Sequence, residues 1–316
     1  MRIELTRHRL PELIALVEAI EQHDHAPFRT LPSELEDYFD SGLETESLGL
    51  VVDGVLAGYG VVRVPRDGSP LRCSGGTHPD FRGYGLGRMV VEFFDTAARR
   101  LAAGQPDATM EIHVDEGRDS LVDLLERAEF EPSGGYVQLR RDLSEPRAAV
   151  ELPSFFRLVP WSDVKDTEVG AAYRETLSGL SDALESQFFV AEWSFVIVDG
   201  RSDRAKLAAY LLSHKYEQDW SAFGWSEGYT EELVVMPDYR GLHLATSLLN
   251  TAADSYQESG LEYAGMDISV DADGTSPMLD LFMHFGYEPI RSTTLYAKRV
   301  FPAGQPPLSA TASGEI

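Results

Sequence analysis

Apolar positions recur every three to four residues over 10–22, the stripe of a helix with one buried face, and a Pro-Ser-Glu start signal opens a second short helix over 31–39. The first residues, Met-Arg-Ile-Glu-Leu, read as an opening strand, and strand patterns follow at 48–52 and 56–64, joined by the turn pair Asp53-Gly54. The pattern then predicts a strand at 71–78, a helix at 87–103, a strand at 109–114, a helix at 120–128 and a strand at 136–143. A similar order returns after residue 153: strand 156–159, helix 169–177, strands 194–198, 207–213 and 232–236, helix 244–258, strand 265–270, helix 278–285 and strand 295–299. Between the halves, 144–153 carries two prolines and no amphipathic period, so it reads as a linker between domains at 1–143 and 154–301. The Pro-rich, small and polar stretch 302–316 is expected to be disordered.

The repetition extends to residues. Thr77-His-Pro-Asp-Phe-Arg-Gly-Tyr-Gly-Leu-Gly87 and Val235-Met-Pro-Asp-Tyr-Arg-Gly-Leu-His-Leu-Ala245 each follow a predicted strand and open a predicted helix. Arg82 and Arg240 stand 240 − 82 = 158 positions apart, half of the 316 residues. A turn of exposed backbone N–H groups leading into a helix is an anion cradle. Gly83, Gly85 and Gly87 leave the first cradle free of Cβ atoms, and Arg82 adds charge at its rim. In the second copy His243 replaces the middle glycine. Its imidazole either adds a donor beside the amides or closes the site.

This strand–loop–helix motif resembles the acyl-CoA pyrophosphate loop of the GCN5-related N-acetyltransferase (GNAT) superfamily. A later landmark repeats with it: Leu124-Leu-Glu-Arg-Ala-Glu-Phe-Glu-Pro132 and Leu281-Phe-Met-His-Phe-Gly-Tyr-Glu-Pro289 are similar to the family's closing helix and turn, 287 − 130 = 157 positions apart. The resemblance implies a tandem α/β fold of two GNAT-like domains, each a twisted mixed β-sheet flanked by helices and split at the CoA-binding strand. It implies acetyl-CoA as co-substrate, held by Thr77, Arg82, Gly83, Gly85 and Gly87 in the first half and by Val235, Arg240, Gly241, His243 and Ala245 in the second. The family's CoA-contacting asparagine falls on Arg118 and Thr275. Its tyrosine proton donor falls on Leu125 and Phe282, neither of which can donate, although a thiolate of pKa about 8.5 leaves without an acid. Glu129 replaces the glycine of the first closing turn, which is expected to bend differently. The layout is similar to that of the tandem mycothiol synthases, in which the second half does the chemistry.

Acyl transfer to an amine needs a base, because an alkyl ammonium of pKa about 10.4 is not nucleophilic until it loses a proton. In Tyr229-Thr-Glu-Glu-Leu-Val-Val-Met-Pro237 two carboxylates precede the loop, on the positions of the acid pair of the diamine and polyamine acetyltransferases. Strand alternation puts Glu231 on the face of Tyr229, Leu233 and Val235, and Glu232 on that of Val234 and Met236, so only one faces a substrate unless the strand bulges. Glu231 is the candidate base and Glu232 its alternate. The corresponding positions of the first half are Cys73 and Ser74. Either one half has diverged, or its base comes from elsewhere in the fold.

The 52 acids against 27 bases leave a formal charge of −25, which disfavours nucleic acid and anionic membrane as partners and reads either as a solvated surface or as a bias toward cationic substrates. One cysteine, Cys73, makes no internal disulfide and fits a reducing cytosol. No apolar run approaches the roughly 20 residues of a membrane span. No Cys/His spacing suggests a metal site. Trp193, Tyr216, Trp220, Trp225 and Tyr229 divide between packing and lining a pocket for a cation, and His214 and His284 stand alone. The expected function is acetyl-CoA-dependent N-acetylation of a small amine in the second half, by a cytoplasmic monomer or homodimer. Catalysis in the first half and a non-catalytic CoA- or amine-binding sensor are the alternatives.

Overall fold

In the computed structural model, which describes residues 1–40, 42–65, 70–103, 105, 107–164, 170–173, 182–201 and 204–301, Asp53 and Gly54 both take positive φ, 49° and 84°. That conformation matches the twist of the strands it joins and closes a two-residue hairpin with Val52 opposite Val55. The chain forms two units, Met1–Gly135 with Asp271–Gly274 and Thr293–Ile316, and Tyr136–Val270 with Thr275–Ser292.

The elements in chain order are β1 (Arg2–Ile3), α1 (Leu10–Asp24), α2 (Pro32–Asp40), β2 (Thr45–Val52), β3 (Val55–Arg63), β4 (Leu71–Thr77), α3 (Leu86–Leu101), β5 (Thr109–Asp115), α4 (Asp119–Arg127) and β6 (Glu131–Asp142). Then follow β7 (Phe156–Pro160), β8 (Phe195–Asp199), β9 (Lys206–His214), β10 (Glu227–Val235), α5 (Leu244–Glu258), β11 (Tyr263–Val270), α6 (Pro277–His284) and β12 (Glu288–Arg299). Of the helix expected over 169–177 only 170–173 are described, and they are helical; the rest of it, like the tail 302–316, lies outside the described residues.

The first unit orders its strands β1-β2-β3-β4-β5 and ends on residues 293–299 of β12, antiparallel to β5 with Thr293 opposite Asp115 and Arg299 opposite Thr109. The second runs β7-β8-β9-β10-β11 and ends on residues 136–142 of β6. Each half of the sequence thus supplies the other unit's last strand. Side chains confirm the exchange: Tyr296 and Val300 are buried in the core under α3 and α4, Leu139 and Leu143 in the core under α5. The repeated pattern assigns 136–143 to the first half and 295–299 to the second. Periodicity marks a strand but not its partner.

Each sheet is covered on both faces. In the first unit Val90, Val91, Phe94 and Ala97 of α3 pack on one face, Leu13, Leu16 and Val17 of α1 on the other. In the second, α5 buries Leu244, Leu248, Ala252 and Tyr256, while Val196, Val198, Tyr210 and Leu212 face the opposite core. Full burial of such side chains contributes about 1.5–3 kcal/mol each. Gly228 leaves room for the Tyr256 ring, which a Cβ there would overlap.

β4–β5 and β10–β11 pair in parallel, and both pairings are short. Leu71 and Arg72 pair with Met110 and Glu111, and residues 227–229 pair with 263–265. Beyond these contacts the strands diverge, which is the split expected for the fold. Among the described residues no helix is long and apolar enough to cross a membrane.

Ending the chain after Ser292 removes the strand that covers β5, so amides of β5 and α3 are expected to lose hydrogen-exchange protection even though they lie far upstream. Unchanged protection there would contradict the exchange.

Candidate active site

The two loops follow the same backbone path. Each begins with a 3₁₀ turn, Pro79–Phe81 or Pro237–Tyr239. Extended Arg82 and Arg240 follow, then Gly83 and Gly241 at φ 82° and 78°, and the last residue before the helix is left-handed, Gly85 at φ 84° and His243 at φ 57°. His243 therefore preserves the direction of the amides that open α5, although a non-glycine residue in this region costs about 1–2 kcal/mol. Neither helix start is capped by a side chain, so its first N–H groups face outward. A Cβ at Gly83, Gly85 or Gly241 would meet open space, whereas at Gly87 it would press on Leu124 of α4. Gly87 thus serves helix packing, and Ala245 at the matching place in α5 is half-buried.

The loops differ in charge. Arg82 donates two hydrogen bonds to the Asp24 carboxylate, 2.6 and 2.8 Å. Arg118 pairs with the same carboxylate at 3.1 Å and donates to the Asp24 carbonyl. Although partial burial opposes ionisation, the two guanidiniums hold the Asp24 carboxyl down to about 2. Both cations expected at a phosphate are thus occupied by the end of α1. Arg240 is exposed and has no ion pair among the described residues. Thr77 and Val235 end their strands, and Thr275 lies just before Ser276, whose hydroxyl caps α6.

The acid pair sits on a bulge. Thr230 faces Ser213 and Glu232 faces Leu212, leaving Glu231 as the extra residue. The bulge overturns the alternation expected for this strand: Leu233 and Val235 pack with the α5 core and Val234 with the opposite one. Glu231 and Glu232 both come to the Tyr229 side. Glu232 accepts from the Tyr210 hydroxyl at 2.9 Å. Glu231 accepts from Tyr216 at 3.0 Å and lies 3.4 Å from Nδ1 of His214. The Tyr216 ring meets Tyr229 edge-on, 5.3 Å between centroids, and the Tyr229 hydroxyl donates to Asp267 of β11. Surrounding protein pushes the Asp267 carboxyl up to about 6 although water reaches the residue, which fits the wall of a cleft. At the closed end of the split, buried Glu227 accepts from the Trp225 indole at 2.8 Å and is pushed up to about 7 by burial.

Sequence reasoning placed Tyr216 and Tyr229 among possible pocket residues and both meet here. Trp193 instead packs on Tyr256 and bonds Ser259, and Trp220 lies by Lys215. It missed His214, Asp267 and Glu227. Asp267 carried a signal, a lone acid in an otherwise apolar or small strand.

In the first unit Cys73 is buried and its thiol pushed up to about 12 by burial, which removes it as a nucleophile. The closing turns agree rather than differ. Glu129 takes φ 64° where Gly286 takes 82°, and Phe130 and Tyr287 donate to the carbonyls of Leu125 and Phe282. Leu125 and Phe282 are buried core residues.

With this geometry in view, the comparisons with known proteins are consistent. Residues 154–287 match the acetyltransferase (GNAT) family. A GCN5-related N-acetyltransferase from Sphaerobacter thermophilus superposes with a TM-score of 0.69 at 19% identity, over 96% of both chains. A tandem GNAT protein from the clavulanic acid biosynthesis pathway gives 0.66 at 15%, over 96% of this chain and 99% of its own. A fungal glucosamine N-acetyltransferase region within a multi-domain β-N-acetylglucosaminidase gives 0.67 at 13%, over 94% of this chain and 38% of that one. A search of the curated proteins finds no match. The chain has the tandem GNAT fold, and its second half carries the family's sequence.

The raised Glu227 carboxyl has a thermodynamic consequence. The folded chain holds its proton more tightly than the unfolded chain, whose value is near 4.5, so stability falls as pH rises from there to about 7. Glu227→Gln is expected to raise stability at pH 8 by about 2–3 kcal/mol and to flatten that slope, leaving the smaller part due to Asp267. Thermal melts across pH 4–9 check this.

Proposed function

We propose that the chain transfers an acetyl group from acetyl-CoA to the primary amine of a small cationic molecule, and that the reaction runs in the second unit with Glu231 as general base. The bulge at Glu231 carries this reading, since it places a carboxylate on the side of Tyr229 and Asp267, where the parallel strands part. An ammonium arriving there meets acids and aromatic rings, which attract cations. The family match on 154–287 supports the same half. So do the matching strand positions of the first unit, which carry no carboxylate: Cys73 there is buried and Ser74 is hydrogen-bonded to Tyr38. The fungal neighbour named for glucosamine also acts on a primary amine.

Acetyl-CoA lies with its pyrophosphate on the amides of Gly241, His243 and the first turn of α5, and Arg240 supplies charge against the acidic field. Thr275 and Val235 border the same site. Glu231 takes a proton from the ammonium, the amine adds to the thioester carbonyl, and the C–S bond breaks to release CoA. Phe282 offers no proton, so the sulfur leaves as thiolate. A second acyl-CoA site at Thr77, Arg82, Gly83, Gly85, Gly87 and Arg118 requires release of both arginines from Asp24.

Glu231→Gln is expected to lower kcat at neutral pH by about 10²–10⁴, with partial recovery as pH rises. Thiol release with a panel of amines measures it; full activity in both Glu231→Gln and Glu232→Gln would move the site to the first unit. In calorimetry, Gly241→Val puts a β-branched residue at φ 78° and is expected to weaken acetyl-CoA binding at least about tenfold. Unchanged affinity would place the bound CoA on the Gly85 loop.

A further inference from the structure

Behind Glu231 lies a chain of groups that leads into the protein. Tyr216 bridges the carboxylate, at 3.0 Å, to Nδ1 of His214, at 2.9 Å, and Nε2 of His214 lies 2.9 Å from the carbonyl of Ala183. His214 is buried, 2% exposed, whereas the Glu231 side chain is 34% exposed. The chain has one open end and one closed end.

Its hydrogens can be counted. Three contacts need three hydrogens, and the Ala183 carbonyl and an ionised Glu231 supply none. Tyr216 has one and a neutral imidazole has one, which the carbonyl draws to Nε2. One contact is therefore short of a proton: either Nδ1 or the carboxylate faces a lone pair of the Tyr216 oxygen. One added proton completes the set in two equivalent ways. Protonated Glu231 donates to Tyr216, which donates to Nδ1; or protonated Nδ1 donates to Tyr216, which donates to the carboxylate. Moving one hydrogen at each link converts the first arrangement into the second.

We infer that Tyr216 and His214 form a proton relay behind Glu231, which takes up the proton of the incoming ammonium and shares it with the buried imidazole. This deepens the proposed function and rests on Glu231 as the base. The balance is simple. Two protons leave the nitrogen as the C–N bond forms and the C–S bond breaks. One ends on the thiolate sulfur, the other on the relay, which returns it to water before the next turnover. Nothing is oxidised or reduced. Tyr216 and His214 are positioning residues, since only Glu231 meets the amine.

The surroundings suit the role. Tyr229 and Asp267 flank Glu231, Lys215 and Glu217 pair with each other at 2.7 Å beside Tyr216, and Phe189 stands edge-on to the imidazole. The Phe188 and Tyr229 rings hold Tyr216 in place.

Tyr216→Phe tests the relay, because it keeps the ring contacts and removes the oxygen that bridges Glu231 to His214, leaving only the longer direct approach of the carboxylate to Nδ1 at 3.4 Å. In ¹⁵N NMR of the whole protein at a fixed neutral pH, with His214→Gln to assign the signals, the Nδ1 signal is expected to move in both Tyr216→Phe and Glu231→Gln. An Nδ1 signal that responds to neither variant overturns the relay, whatever the activity. With acetyl-CoA and 1,4-diaminobutane as probe, Tyr216→Phe is expected to lower kcat about tenfold or more at neutral pH, to recover as pH rises, and to leave the KM for the amine unchanged. Loss of kcat in Glu231→Gln with full kcat in Tyr216→Phe overturns the relay and leaves the base standing. Full kcat in Glu231→Gln removes the base itself.

Discussion

The divergence of two parallel strands governs the second unit. β10 and β11 share only residues 227–229 and 263–265, and past that point each strand has one edge without a neighbour from the other. Backbone groups at such an edge must find another partner or water. An extended thioester can supply that partner, which is why a cofactor suits a split sheet better than a closed one. The bulge at Glu231 lies on this free stretch, on the side still paired to β9. An extra residue is tolerated there because the disturbed ladder has only one neighbour to satisfy. At the closed end, Gly265 packs directly against the Glu227 carboxylate, and no larger residue fits.

The charge of the chain sets a second constraint. With an excess of 25 acids, an anionic cofactor is held against the field of the whole molecule. The two loops meet this problem with the same backbone and different side chains. In the first, Asp24 draws both arginines and supplies internally the negative charge such a loop attracts. In the second, an imidazole stands where the glycine was and the arginine remains exposed. Duplication kept the left-handed geometry in both copies, even where histidine must adopt it.

Most elements were legible because their signals are local. The 53–54 turn and the α5 span follow from periodicity and turn chemistry at single positions. The start of β10 was not, because Glu-Gly-Tyr-Thr-Glu reads as polar loop until burial by Tyr256 and Trp225 makes it strand. The bulge was equally hidden, since alternation assumes a regular ladder and nothing in two adjacent glutamates marks the irregular one. His214 looked solitary because Tyr216 and Glu231 join it only through the pairing of β9 with β10. Glu129 shows the reverse case. A residue ill-suited to positive φ adopts it because the hydrogen bonds of the turn require that path.

The exchange of last strands changes how such a chain comes into being. On the ribosome β5 is complete early, but the strand that lies beside it begins at Thr293, 293 − 135 = 158 residues after the first unit's own main segment ends. At roughly 5–20 residues per second, that is on the order of ten to thirty seconds during which a nascent sheet shows an open edge. An open edge is a template for pairing with another chain. Synthesis speed and chaperone capture in this interval, rather than the stability of the finished protein, then govern how much of it reaches the folded state.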